Sequence, residues 1–499
     1  MTSTLEHQTF EQAYEQYQEL IKTLSSEDAQ DWEHGEIERY IHEHGTELLR
    51  RLLQGHLDLR YQQEVYQSDV YGTDGEKRPH RRKRTHRQLE TLFGGVVVPR
   101  VGYSTQTPNV SALYPSDGKL NLSPDKYSDE LRRRVAEEAS KVSFSETSQT
   151  IANTTGGQVG KRQCEEVTVS VAQDFEDFYI QRSGTETAAA DDLLVLTTDS
   201  KGIVMHPDDL REATAKAAQQ SAQSHQTRLS PGQKRNRKRM AMVASVYHVP
   251  PYSRQPDDII GDQRDPPKRP SISDKRVWAS VRQDAKSMIA SAFDEAISRD
   301  PEHQRTWVVL VDGELHQLNT IKATAKQHSV AVTIVIDFIH VLEYVWKAAL
   351  CFHASGSEEA DRWVQARALR ILNGQASDVA AGIRRSATLQ KLSKKKRENA
   401  DKCADYLLKY RPFLRYDQYL EQGYPIASGV IEGACRHLVN DRMAITGARW
   451  RLDRAEAVLR IRALRASDDF DEYWAFHKLQ EFKRNHVSKF QDPERLLAA

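Results

Sequence analysis

Three short apolar runs, each closing on an aspartate, constrain this chain more than any other feature. They are LLVLTT (193–198) before Asp199, WVVLV (307–311) before Asp312, and VAVTIVI (330–336) before Asp337. Runs of this length, rich in β-branched residues, read as strands buried on both faces, and such strands belong to sheets covered by helices. A fourth run, MAMVASVYHV (240–249), predicts a further strand, and Gly202–Met205 reads as the start of a hairpin partner to the first. Helical periodicity fills the gaps: Ser273–Ser298, Glu314–Gln327 and Phe338–Phe352. Residues 212–228 read as a polar excursion and 250–271 as a loop rich in Pro and Asp.

The resulting order, βββαβαβα, is the strand order of a ribonuclease-H-like fold: an α/β core with a mixed five-stranded sheet and helices. Residues 355–424 are charged and helical throughout and read as an all-helical insertion. The expected organisation is therefore a helical N-terminal region (1–66), a basic hairpin-like segment (67–117) and a helix-turn-helix region (118–188). A first core part (189–354), the insertion (355–424), a second core part (425–465) and a tail (466–499) follow.

Composition excludes several alternatives. The chain is 38% hydrophobic and 28% charged, with no apolar run of about 18 residues, so no membrane partner or span is expected. Its N-terminus lacks the basic start and apolar stretch of a signal peptide. Cys164, Cys351, Cys403 and Cys435 are far apart and form no CxxC pair, which predicts neither a disulfide framework nor a zinc finger and points to a reducing cytoplasm. The 71 basic residues balance the 71 acidic ones, but unevenly along the chain. Residues 5–40 are acidic, whereas KRPHRRKRTHR (77–87), KRNRKR (234–239) and KKKR (394–397) are concentrated cation runs. Such runs suit backbone phosphates or a solvated face.

The N-terminal helices present Phe10, Tyr14, Tyr17 and Ile21, and then Leu49, Leu52, Leu53 and Leu57, on apolar faces suited to packing or self-association. In 143–173, Ser145 is expected to cap one helix running through Ile151. Thr155-Gly156-Gly157 makes the turn, and a second helix from about Val159 carries Lys161, Arg162 and Gln163 near its start, where recognition helices meet base edges. Arg81, Arg82, Lys83 and Arg84 supply the other N-terminal DNA candidates.

Three carboxylates converging from different elements are what metal-assisted phosphodiester chemistry requires, because Mg²⁺ prefers hard oxygen ligands and keeps much of its water. Asp199 and Asp312 are expected at strand ends, and Glu432 on a late helix between Gly429 and Gly433. Each has a structural alternative: a hairpin turn for Asp199, a helix cap for Asp312, and an i,i+4 pair with Arg436 for Glu432. Asp337 rivals Asp312 as second ligand. With His340 three residues on, it reads instead as an accessory pair that orients a ligand or touches DNA. His316 reads as an ordinary helix-face residue. Arg436, Arg442, Arg449 and Trp450 form a basic and aromatic face after Glu432, suited to clamping DNA.

TTDSKG (197–202), VVLVDG (308–313), DFIHVLEYVW (337–346) and PIASGVIEGACRHLVNDRMAITGARW (425–450) resemble the bacterial insertion-sequence transposases of the ISKra type, distant relatives of the Mutator-like transposases. RQLETLFGGVVVPRVGY (87–103) and FDEYWAFH (470–477) extend the resemblance, which covers about residues 80–480. Asp337 and His340 match the Asp-x-x-His signature of the wider group. The resemblance implies a DDE transposase in which Asp199, Asp312 and Glu432 bind two Mg²⁺ ions, with Mn²⁺ able to substitute. It also implies terminal-repeat and target DNA as partners, at least a homodimer, and a cytoplasmic, nucleoid-associated bacterial location. One departure is that the family's first motif more often reads Asp-Gly-Lys, where this chain has Asp199-Ser200-Lys201. Two rival readings stand beside it: a transposase-derived DNA-binding protein without catalysis, which the presence of all three carboxylates disfavours, and a structure-selective nuclease without strand transfer, which the same residues fit.

Overall fold

The computed structural model describes residues 8–182, 189–222, 236–261, 270–445 and 447–497. The basic run 234–239 lies partly outside the described residues, and so does the side chain of Arg84. The described residues of Met1–Gln181 and Asp469–Ala499 form one compact unit, and those of Arg182–Asp468 a second. Among the described residues no helix is long and apolar enough to cross a membrane.

The first unit begins with helices α1 (Glu11–Leu24) and α2 (His34–Gln62) and a hairpin of strands β1 (His80–Thr91) and β2 (Gly94–Ser104). The basic run forms the first half of β1, with Arg81, Arg82 and Lys83 exposed. The apolar faces of the N-terminal helices divide. Leu57 and Leu53 pack on Leu89, Val96 and Val98 of the hairpin, while Tyr14, Tyr17, Ile21, Leu49 and Leu52 remain exposed.

Helices α3 (Asp129–Ala139), α4 (Phe144–Thr154) and α5 (Lys161–Val171) follow. The cap of α4 is Ser143 rather than Ser145. Ser143 Oγ accepts from Glu146 N at 3.2 Å and the Glu146 carboxylate accepts from Ser143 N at 3.0 Å. Only Ser143 has a glutamate three residues on, so only there does the box close. The Gly156-Gly157 turn docks on the hairpin tip. Gly156 N donates to the Leu92 carbonyl, and a Cβ on Gly157 would lie 2.4 Å from the Thr91 oxygen. The C-terminal helix Phe470–Asn485 completes this unit, far in sequence from the rest of it.

The second unit is built on five strands: β3 (Leu193–Val204), β4 (Lys238–Val249), β5 (Ser273–Ser280), β6 (Trp307–Val311) and β7 (Val332–Ile336). Their spatial order is β5-β4-β3-β6-β7. The first three pair antiparallel, and β6 and β7 join parallel to β3. The sheet is mixed and five-stranded as expected, but two assignments change. Gly202–Val204 continues β3 instead of starting a partner, because β4 pairs with β3 along its whole length, Leu193 with Val249 through Val204 with Lys238. Ser273–Ser280 is the third strand, not the start of a helix. Its Val277, Trp278 and Ala279 are buried, and the charge of Arg276 is met by Glu295. Helix α6 (Ala285–Arg299) begins only after its cap, Asp284.

Leu194, Val195 and Leu196 of β3 and every residue of β6 are buried, each worth about 1.5–3 kcal/mol for the larger side chains. Helices α7 (Leu315–Gln327) and α8 (Phe338–Ala349) follow β6 and β7 directly. Residues 355–424 hold α9 (Glu358–Leu372), α10 (Ala376–Leu389), α11 (Lys394–Tyr410) and α12 (Tyr416–Glu421) and no strand. The chain then returns through α13 (Gly429–Ala434) and α14 (Leu452–Ala466).

Candidate active site

Thr197 of β3 lies opposite Leu310 of β6, and Val311 of β6 opposite Ile336 of β7. Two steps along the first pair reach Asp199 and Asp312, and one step along the second reaches Asp312 and Asp337. The register therefore sets all three aspartates on one level across adjacent parallel strands, which lie about 4.8 Å apart. β6 and β7 end at this level, whereas β3 runs on beside β4, so Asp199 sits within a strand rather than at its end. The carboxyl ends of parallel strands, where neighbouring connections diverge, are where open α/β sheets form crevices.

A cleft of about 130 Å³ occupies that position. Asp199, Asp312, Asp337, His340, Glu343 and Glu432 all line it, together with Thr197, Thr198 and Ser428. The structure thus brings the five sequence-derived candidates into one cavity.

Their surroundings differ. Asp199 is half-buried. One oxygen accepts from Ser200 N at 2.6 Å, and the other faces the Cys435 thiol at 3.1 Å. Asp312 is exposed, and among the described residues its carboxylate accepts only a long bond from Glu314 N, at 3.2 Å. It is not the cap of α7, a role taken by Glu314, which accepts from Gln317 N. The following Gly313 has φ +94°, a left-handed turn that lets the chain leave β6 sharply.

Asp337 is only 3% exposed and already committed. One oxygen caps α8 through Ile339 N at 2.7 Å, and the other accepts from both Ser428 N and Ser428 Oγ. Ser428 immediately precedes the helix of Glu432, so Asp337 anchors that helix to the end of β7. His340 sits edge-on to Tyr344 and Tyr406, with ring centroids 5.5 and 6.1 Å away. Among the described residues, no hydrogen bond joins His340 to Asp337, so the expected pair shares the cleft without direct contact.

Glu432 projects from α13, which runs into a π-helical turn, Cys435–Asn440. Such turns recur at functional sites. Glu432 is exposed, but its partial burial raises the carboxyl pKa from its ordinary value, and the charges of Asp337, Asp199 and Glu343 add to this, with His340 opposing. Among the described residues Glu432 makes no ion pair with Arg436 or any other cation, and the same is true of Asp199, Asp312 and Asp337. The cleft therefore concentrates uncompensated negative charge from hard oxygen donors.

That chemistry fits a divalent cation such as Mg²⁺. Among the described residues no three His, Cys, Asp or Glu side chains are arranged around a single point. Magnesium does not require that. It commonly takes one or two carboxylates and completes its shell with water and substrate phosphate oxygens.

The raised Glu432 carboxyl gives a testable sign. A group whose pKa is raised by folding stabilises the fold below its ordinary range and loses that contribution as pH rises through the folded value. In metal-free protein at neutral pH, Glu432→Gln is expected to raise the thermal midpoint. The gain should vanish in acid below the ordinary carboxylate range, and saturating Mg²⁺ should favour the wild type. Scanning calorimetry with and without Mg²⁺ reads all three.

The DNA-contact candidates fare unequally. Lys161 and Arg162 are exposed at the start of α5, with Arg162 paired to Glu166 at 2.9 Å, and Gln163 is half-buried. Arg436 and Arg449 are exposed. Arg442 and Trp450 are not on that face. Trp450 is 5% exposed, donates Nε1 to the Met443 carbonyl at 3.0 Å, and stacks under the buried Arg442 guanidinium at 4.7 Å. Both hold the loop after the π-helical turn closed against the end of β3, where Trp450 N bonds the Val204 carbonyl.

Sequence reasoning missed Ser428, Cys435, Gln317, Tyr406 and Tyr416. Cys435 was findable, since a residue three after Glu432 shares its helix face. The tyrosines of DYLLKYRPFLRYDQYLEQGY (405–424) stand out by density, but nothing local says what they reach.

No protein-family model matches the chain, and no curated protein matches it in sequence. Among solved structures it is similar to a Drosophila P element transposase strand transfer complex, at 10% identity over 74% of this chain and 84% of that one, with a TM-score of 0.24. With overlap that loose, the functional reading rests on the residues.

Proposed function

We propose that this chain is a DNA transposase of the three-carboxylate kind, built on a ribonuclease-H-like core. The observation that carries the reading is the level row of Asp199, Asp312 and Asp337 across β3, β6 and β7, facing Glu432 in one cleft. The strand order and directions, three antiparallel and two parallel, agree with that core.

Asp199, Asp312 and Glu432 would hold two Mg²⁺ ions, or Mn²⁺ in their place. When bound, the metal supplies Lewis-acid activation of the attacking oxygen and charge stabilisation of the leaving one. The protein's own contribution is placement. Strand β3 carries Asp199, Asp312 directly follows β6, and Asp337 and Ser428 fix the helix that carries the third acid. The reaction is hydrolysis at the transposon end, leaving a 3′-hydroxyl that attacks a target phosphodiester in line, with no covalent protein intermediate. Arg436 and Arg449 in this unit would bind backbone phosphates, as would Arg81, Arg82, Lys83, Lys161 and Arg162 in the other, making binding steeply salt-dependent. A multimer follows from the need to hold two ends.

The test is an assay with purified full-length protein, the DNA ends that flank its gene, and a supercoiled target plasmid. The expected result is Mg²⁺-dependent end cleavage and covalent joining to the plasmid, both abolished by EDTA. Cleavage without joining would make the protein a nuclease, and DNA binding without cleavage would make it a non-catalytic descendant.

A further inference from the structure

The main-chain carbonyl at or just before each aspartate of the row is held by a side chain from elsewhere in the second unit. Gln317 Nε2 donates to the Thr198 carbonyl at 2.8 Å, Tyr406 to the Asp312 carbonyl at 3.0 Å, and Tyr416 to the Ile336 carbonyl at 2.8 Å. The reason lies in the sheet. Asp312 lies just past the end of β6, and Thr198 lies one residue beyond the last pair of β3 with β6. β7 is the edge strand, and Asp337 N donates to the Val311 carbonyl, so the Ile336 carbonyl faces away from the sheet. A buried carbonyl in such a place needs a donor from outside the sheet. Two of the three donors come from the helical insertion. Tyr416 is fully buried and Tyr406 nearly so, its ring stacked on Tyr344 at 4.1 Å and 15°.

We propose that the insertion is a positioning device for the acidic row, with Tyr406 setting the main chain at Asp312 and Tyr416 that at Asp337. The inference rests on the function proposed above and adds to it a role for residues 394–416. Neither tyrosine is among the residues that line the cleft. They act by fixing where the carboxylates point, and loss of an outer contact that orients a metal ligand commonly costs about 10–100-fold in metal affinity or activity.

Tyr406→Phe and Tyr416→Phe remove only the hydroxyls and keep the rings. Mn²⁺ binding to the full chain, measured by the paramagnetic resonance of free Mn²⁺, is expected to weaken about tenfold in each. Cleavage is expected to require correspondingly more Mg²⁺ and to recover partly at high Mg²⁺, with DNA affinity and melting temperature close to wild type. The proposal is overturned if both variants bind Mn²⁺ and cleave like the wild type, or if cleavage falls together with melting temperature at unchanged Mn²⁺ affinity. Should Tyr416→Phe fail to fold, Tyr406→Phe, beside the cleft, decides alone. Asp312→Ala is run in parallel. If it binds Mn²⁺ and cleaves normally, the reading of the site itself is wrong. If it is dead while the tyrosine variants are normal, only the role of the insertion falls.

Discussion

Asp199→Ala, Asp312→Ala and Glu432→Ala are each expected to reduce end cleavage by about a thousandfold or more, the loss that corresponds to roughly 4 kcal/mol of transition-state stabilisation. The effect should appear in the rate and not in DNA affinity, because negative charge in the cleft does nothing to hold phosphate without metal. Asp312→Ala is the most informative of the three. Its carboxylate is exposed and, among the described residues, makes one long bond, so its loss should leave the fold intact. Asp337→Ala should behave differently. It removes a helix cap and the anchor of Ser428 together, so the melting temperature should fall with the activity. Cleavage by Asp312→Ala, paired with a dead but normally melting Asp337→Ala, would move the second metal ligand to Asp337. Kinetics and thermal melts on the same preparations decide between the two.

Glu481→Ala is expected to destabilise the first unit by about 3–5 kcal/mol, the usual cost of leaving one partner of a buried ion pair. Arg132 is fully buried and Glu481 3% exposed. The guanidinium meets both Glu481 oxygens, one of them at 2.8 Å, and also donates to Ser170 Oγ at 2.9 Å. Beside it, the buried His477 ring contacts Asp174 at 2.6 Å and stacks on Tyr473, while Arg484 bonds the same aspartate. Glu481, His477 and Arg484 all lie on the helix Phe470–Asn485, and Arg132 on α3, so this network ties that helix to α3. Paired replacement, Arg132→Met with Glu481→Leu, should recover part of the loss, since it removes the buried pair but leaves Asp125 and Asp129, which also face Arg132 at 3.4 and 3.7 Å, without that cation. Urea unfolding followed by a probe in the first unit measures both. A change within about 0.5 kcal/mol for Glu481→Ala would mean that the network contributes no more than an ordinary surface pair.

The buried strands and the long amphipathic helices were legible because their patterns are local: apolar runs of five or six residues, or a 3.6-residue period. The helix pair α4 and α5 and the turn between them were legible to within a cap, since diglycine and serine signals act over three or four residues. β5 was not, because SDKRVWAS carries two cations whose place in a sheet depends on a partner such as Glu295, nineteen residues away from Arg276. Trp450 and Arg442 were misjudged for a similar reason. Aromatic and cationic side chains suit DNA and a buried stack equally well, and only the neighbouring main chain tells them apart.

The site divides in the same way. By itself the sequence determined the three aspartates that follow apolar strands, the glycine-flanked Glu432, and the chemistry those oxygens favour, because each of these is a property of a few consecutive residues. Only the tertiary structure decided that the aspartates stand level, that Asp312 is open while Asp337 is committed to Ser428, and that tyrosines from the insertion hold the strand ends. Those are matters of register and of hydrogen bonds between residues about 80 to 120 positions apart. No local preference encodes them, and they follow only once the sheet has formed and the carbonyls left without a strand partner must find donors.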